Sequence, residues 1–326
     1  MAAPTIAHGS AVALGEESTY GTAASRTHLL KVQSHRCDLD IGVEEVPTMG
    51  DHTLTAAAPV EFVKTLQTAG GSFVAPFYAD DAAILLLFAF LFGAVADGGS
   101  GPSSYTHTYT LDNKSASRKF FTAEHTFGDV DQKTMEGCVV TRWSITIEPG
   151  RPVMISVEYI AETGAALTTQ TALTHAAGEI LVGNLGSVLA WNSVNHVPRR
   201  VTISCDHGYA RRYVVGSAQT LQPVINARTN ISVEAELEHG VLTDPEAAYV
   251  AETTGDLTIS LTAGGGEVHA FTLYNAQIVR GVQRNAQGFG IIPKSILWRG
   301  KADAGGGGDL GLRLAVTNSS IATYNA

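Results

Sequence analysis

Residues 80–96 read DDAAILLLFAFLFGAVA, and the reading of this stretch decides the rest. Between Ala82 and Val95 there is no charge and no strongly polar group. The carboxylate of Asp80 or Asp81 can cap the first turn by accepting its free N–H groups. Gly93, and then Gly98 and Gly99, offer places to stop. A membrane span needs about 20 apolar residues, so this run is too short. A helix that is apolar all round is buried on most sides. Everything flanking it reads as strands, so the expectation is a helix laid across a β-sandwich.

A paler version follows at 243–254, TDPEAAYVAETT. It too opens with an acidic cap, and Pro245 takes the first helical position. It follows a strand-like run and precedes Gly255 and more strands. The expectation is one β-sandwich-plus-helix unit present twice, since internal repeats change the whole architecture.

A chain of 326 residues suggests about two domains, at roughly 100–200 residues each. Hydrophobic residues make up 44% of it, enough for sizeable cores. Charged residues are only 16%, against about 25% in an average soluble protein, which leaves surface suited to other protein. The 34 glycines fit strands and turns better than helices. The net charge is −10 and there is no Lys/Arg run. That argues against sequence-specific nucleic-acid binding, because phosphate contacts need a positive surface. A negative wall would instead repel DNA and let it slide. Cys37, Cys138 and Cys205 are far apart, without metal-ligand spacing, and read as small buried hydrophobes. The opening MAAPTIAHGSAVALG lacks the basic and apolar regions of a signal peptide, so the expectation is a protein made and used in a cytoplasm.

In chain order, residues 1–27 lack a regular pattern and read as an N-terminal arm, either flexible or docked on a neighbouring subunit. Residues 28–40 alternate as one strand. Residues 41–59 are acidic and turn-rich, a long loop or a protruding hairpin. Residues 60–74 read as a strand broken at Gly70 and Gly71. After the helix, 98–104 read as a linker and 105–111, YTHTYTL, as a strand. Strands at 118–127 and 137–148 lead through Pro149 and Gly150 to a hairpin partner at 151–161. Val153, Ile155, Val157 and Tyr159 share its core face. Residues 162–195 read as a connection ending in a strand. Further strands are expected at 201–205, 213–215, 231–237, 257–261, 268–273 and 276–282. Ile231, Val233, Ala235 and Leu237 point inward, with Glu234, Glu236 and Glu238 on an acidic outer face. Residues 290–298 and 310–316 are expected to pair with each other. The fold class is therefore mainly β, with two tandem β-sandwich or barrel-forming domains, each with a packed α-helix. Their bounds are 1–27 for the arm, 28–165 for the first, 166–197 for the connection and 198–326 for the second.

Signatures of chemistry are missing. No phosphate-loop motif, nucleophile elbow or metal-ligand spacing is present. His35, His107, His125 and His207 sit in or beside strands and read as hydrogen-bonded or exposed strand residues. Cys205, Asp206 and His207 are adjacent in a strand, and neighbours there point to opposite faces, which argues against a nucleophile set. Glu44 with Glu45, or Asp129 with Asp131, reads as a solvated loop before a cation site. The expectation is no enzyme, with no catalytic, cofactor-binding or metal-ligating residue and no cofactor.

The run Glu16-Glu17-Ser18-Thr19-Tyr20-Gly21-Thr22 resembles the N-terminal signature of tail tube (major tail) proteins of long-tailed bacteriophages. Beyond that run the likeness covers most of the chain, at the level of element order. The resemblance implies a structural virion protein of the tail, polymerising as stacked rings into a hollow conduit for DNA ejection. It implies inner strands that join neighbours into a continuous barrel, closing their open edges, and loops and arms that reach the next ring. It also implies a tape measure protein and tail terminator or baseplate proteins as partners. DNA would pass through without sequence-specific binding, and no membrane is involved. Most simple members carry one sandwich and form hexamers. Two copies lining the channel would make a trimeric pseudo-hexamer, the arrangement favoured here, while one copy decorating the outside would need six chains. The alternative function is a non-assembling β-sandwich binding module, on a virion surface or for carbohydrate.

Overall fold

The computed structural model describes residues 10–46, 61–99, 105–112, 118–128, 131–167, 169, 171–173, 179–183, 188–215, 217–238, 245–284, 293–300, 311–318 and 321–324. In order, the elements of the first half are β1 (Ala11–Glu17), β2 (His28–Lys31), β3 (Ser34–Val46), β4 (Glu61–Pro76), α1 (Ala82–Phe92), β5 (Gly93–Gly98), β6 (Tyr105–Leu111), β7 (Phe120–Phe127), β8 (Asp131–Ile147), β9 (Met154–Ala161) and β10 (Thr163–Leu167). The second half holds β11 (Val188–Trp191), β12 (Val194–His196), β13 (Pro198–Asp206), β14 (Tyr209–Arg212), β15 (Leu221–Ile225), β16 (Asn230–Glu238), α2 (Pro245–Val250), β17 (Thr254–Thr262), β18 (Val268–Arg284), β19 (Pro293–Arg299) and β20 (Leu312–Asn318). The protein is mainly β, and all strands but β14 and β15 belong to one hydrogen-bonded set of 18.

The two halves repeat one pairing scheme. In the first, β4 lies between β3 and β9, and β9 also pairs with β8. In the second, β16 lies between β13 and β19, and β19 also pairs with β18. Both β8 and β18 are long strands of 17 residues that change neighbours midway. The early part of β8 lies between β7 and β10. The early part of β18 lies between β17 and β20. The next strands out are β1 with β2 and β11 with β12. Each long strand carries a bulge where it changes neighbours, at Val140/Arg142 and at Ile278/Arg280. A bulge bends and twists the strand, which lets one strand serve two layers.

Packing does not divide as the pairings do. One continuous hydrophobic cluster runs from Val12 to Val316. At its centre lies α1, where every residue from Ala83 to Phe92 is buried. Asp81 caps it, its carboxylate accepting from Ala83 N at 2.9 Å. Gly93, at φ 91, ends it. The Phe88 ring meets Phe77, Tyr109 on β6 and Phe271 on β18. Phe90 stacks on Phe121, and Phe92 lies against Trp143. The helix therefore fills the space between layers drawn from both halves. Burying one such ring is worth about 2–3 kcal/mol by area.

Several sequence expectations are corrected. Residues 11–17, expected within an arm, form β1, because Val12 and Leu14 are wholly buried. Residues 28–40 form parts of two strands. Gly70 and Gly71 do not break β4. A Cβ at Gly71 would stand 2.4 Å from Arg36 O and 2.6 Å from Tyr159 Oη, so glycine lets the strands close up. Residues 213–215 are not a strand, and 268–284 form one strand rather than two. β19 and β20 do not pair with each other; β20 joins β18 and β6. The strand at 105–111 lies between β5 and β20, a place that no strand of the second half repeats. α2 is a six-residue helix that lies against β18 with Ala248 on the core and Val250 79% exposed, whereas α1 is buried all along its length. The expected linker at 100–104 and the loops at 47–59 and 304–309 lie outside the described residues.

Candidate assembly surface

The halves join along a seam between β8 and β13. Their pairing is antiparallel and unbroken from Val201↔Ile147 to Asp206↔Arg142. Arg142 Nη2 donates to Asp206 Oδ2 at 2.9 Å and its Nη1 lies 3.5 Å from Glu158 Oε2. Beyond the pairs, His207 N donates to Thr141 O at 2.9 Å. The result is one sheet crossing the molecule in the order β3, β4, β9, β8, β13, β16, β19, β18.

Alternation sorts this sheet into two faces. Val153, Ile155, Val157 and Tyr159 point into the core, as do Ile231, Val233, Ala235 and Leu237. The opposite face is polar: Ser156, Ser144, Ser204 and Ser232 stand in one row across four strands. Four of its arginines are held by carboxylates. Arg36 pairs with Asp38, Arg142 with Asp206, Arg200 with Glu148 and Arg280 with Glu234. Hydrogen bonds from Arg142 and from Gly208 N hold the Asp206 carboxyl below the usual range. Ser295 and Arg280 do the same for Glu234. Cations committed in this way are poor ligands for phosphate.

Among the described residues, the sheet ends open on both sides. β3 pairs only with β4, and β18 beyond Gln277 pairs only with β19. An open strand presents unpaired N–H and C=O groups to any partner. On β3, Leu39 is 40% exposed, Ile41 41% and Val43 57%, all on the face that carries buried Cys37. The ribbon of β3 and β4 thus runs past the body with its core-facing side uncovered.

The motif at 16–22 has a structural role. The Glu17 carboxylate is buried and accepts three hydrogen bonds, from Gly21 N at 3.1 Å, Thr122 Oγ1 at 2.7 Å and Gly137 N at 2.9 Å. Burial nevertheless pushes its pKa up. Gly21 and Gly137 both have positive φ, at 72° and 63°, conformations that glycine adopts without strain. Tyr20 packs edge-on against Phe120. Glu16 holds Lys119 at 2.5 Å and Tyr324 at 3.2 Å. The signature therefore ties β1 and its turn to β7, β8 and the C-terminal segment.

The other singled-out residues do not converge on a reaction. Cys205 faces the core while Asp206 pairs with Arg142 on the opposite face. His207 is buried with its pKa lowered to about 4 by desolvation. His35 and His125 sit Nδ1 to Nδ1 at 2.9 Å, and His125 Nε2 meets Tyr159 Oη at 2.6 Å. His107 bridges Asp97 at 2.7 Å and Ile321 O at 3.0 Å. All three cysteines are buried free thiols, and burial pushes Cys37 up to about 11. Glu44 and Asp131 are exposed, while the Glu45 side chain and Asp129 lie outside the described residues. Among the described residues no group of His, Cys, Asp and Glu is placed to hold a metal, and no helix is long and apolar enough to cross a membrane. Sequence reasoning missed the seam pair Arg142–Asp206, which only the register of β8 against β13 brings together.

Open sheet margins and an uncovered apolar ribbon on a polar-faced sheet define a β-rich structural protein. The chain belongs to the phage tail tube protein family, whose model matches residues 7–317. Membership makes it a structural component of a phage tail, of a kind that self-assembles into a tube. A comparison with curated proteins finds no match.

Proposed function

We propose that this chain polymerises as stacked rings into the tail tube, a hollow conduit through which DNA is ejected. The observation that carries this reading is the seam between β8 and β13. Through it, four strands from each half form one continuous polar-faced wall. The repeated pairing scheme supports two tandem units. β1 to β10 make the first, and β11 to β20 the second, joined through one shared core. The units thus begin earlier than residues 28 and 198. Since both units contribute the same four strands to the wall, three chains build a pseudo-sixfold ring.

The wall's committed arginines and the net charge of −10 suit a channel that DNA slides past without binding. The ribbon of β3 and β4 is the element that reaches the adjacent ring. A tape measure protein inside the tube and terminator or baseplate proteins at its ends are the partners that the family implies. Electron microscopy of the concentrated, purified chain tests the reading. Hollow cylinders with three chains per ring are expected. Six chains per ring would discard the three-chain ring, and monomers at every concentration would discard the tube.

A further inference from the structure

The seam inside the chain has an equivalent that the chain cannot close by itself. The bulges at Val140/Arg142 and Ile278/Arg280 fall opposite Tyr159/Glu158 on β9 and Trp298/Leu297 on β19. This aligns Arg142 with Arg280 and Tyr159 with Trp298. Following β9 to β4 and β19 to β16, Gly71 aligns with Val233. One strand further, Cys37 aligns with Ile203 and Asp40 with Asp206. Register alone therefore brings Asp40-Ile41-Gly42 onto Asp206-His207-Gly208.

The aligned positions differ in exposure. Cys205 and His207, beside β8, are 1% and 3% exposed, whereas Leu39 and Ile41 are 40% and 41% exposed. The apolar character is kept on β3, but among the described residues no strand lies along its outer edge. At the other margin Val279, the counterpart of Thr141, is 40% exposed.

We propose that β3 of one chain pairs antiparallel with the distal part of β18 of a second copy, in the register of the internal seam, setting Asp40 against Arg280. The proposal rests on the tube reading and names the contact that closes its ring. The contact repeats the internal ion pair: Arg280, now held by Glu234, gains Asp40 as Arg142 holds both Glu158 and Asp206. The N–H of Ile41 faces the carbonyl of Val279, as His207 N faces Thr141 O. Leu39 and Ile41 lose their exposure to water.

The test is oxidative cross-linking of D40C/R280C in assembled tubes, with each single variant as control. A covalent ladder unique to the double variant, ending at three chains, is expected. Tubes that assemble without that ladder would overturn the register and leave the tube reading intact. Failure of the unmodified chain to self-associate would overturn both. Should the double variant not fold, hydrogen exchange on the unmodified protein decides. Amides 36–40 and 280–284 should gain at least about tenfold protection on assembly, and unchanged exchange there overturns the proposal.

Discussion

Glu17 accepts the backbone N–H of Gly137 at 2.9 Å across a sequence separation of 120 residues. The same carboxylate oxygen takes the hydroxyl of Thr122, and its second oxygen takes Gly21 N. A buried donor that loses its acceptor costs about 1–3 kcal/mol. Glu17→Ala orphans three, so a loss of about 3 kcal/mol or more is expected. Glu17→Gln keeps the shape but turns one donor toward another, and about half that loss is expected. Denaturant unfolding followed by tryptophan fluorescence measures both. Equal stability of all three proteins would remove the structural role given to the motif.

Acid sensitivity follows from buried neutral histidines. Desolvation lowers His125 to about 3 and His207 and His269 to about 4, from an ordinary value of 6.5. Below pH 6.5 the unfolded chain binds protons that the folded chain refuses. Their contribution is therefore full above pH 6.5 and is lost as pH falls toward 3–4. Each of the latter two contributes on the order of 3 kcal/mol across that window. Glu17 runs the other way, since its raised pKa favours the folded state as pH falls toward its ordinary 4.5. Three histidines outweigh one carboxyl, so the Tm at pH 5 should lie well below that at pH 7.5. A Tm flat across this range would contradict it.

Phe88 touches aromatic rings from both halves, so truncating it tests whether the core is shared. Phe88→Ala should cost about 3–5 kcal/mol and lower the single unfolding transition as a whole. Two transitions in calorimetry, with only one displaced, would mean that the halves fold independently.

Local pattern made some of this legible. The alternation at 153–159 and 231–237 predicted which side chains are buried, because one face of a half-buried strand needs apolar residues at every second position. The run at 82–92 announced a buried helix by having no polar side. The seam was not legible, because strand neighbours are set by register and bulges, which leave little trace in composition. β8 and β18 also serve two layers each, so their pattern changes midway; β18 looked like two strands for that reason. The residues 16–22 were noticed for their likeness, but their work depends on Thr122 and Gly137, far along the chain.

Gly71 tests the close approach of β3 to β4 and β9. An added methyl would sit 2.4 Å from Arg36 O, a backbone atom that cannot swing aside. It would also crowd Tyr159 Oη, the partner of His125. Gly71→Ala should cost about 1–3 kcal/mol and weaken ring closure by displacing β3. Thermal unfolding and sedimentation read the two effects separately. An alanine variant with unchanged Tm would show that the strands have room to spare.

The ribbon of β3 and β4 carries aliphatic side chains on both faces. Val43 lies opposite Lys64 and Val63 opposite Glu44, so the two valines point to opposite sides. They are 57% and 49% exposed. A ribbon with one apolar face could lean on its own body. One with exposed aliphatic side chains on both faces, as here beside Lys64 and Glu44, suits insertion between other surfaces. Val43→Asp and Val63→Asp remove little buried area from the isolated chain, so its stability should change by less than about 0.5 kcal/mol. In a stacked tube each places a charge where apolar contact is expected, which is costly without a partner. Both variants should therefore fold and form rings yet fail to lengthen, giving short stacks in micrographs where the unmodified chain gives long tubes. Full-length tubes from either variant would mean that the ribbon lies outside the ring-to-ring contact.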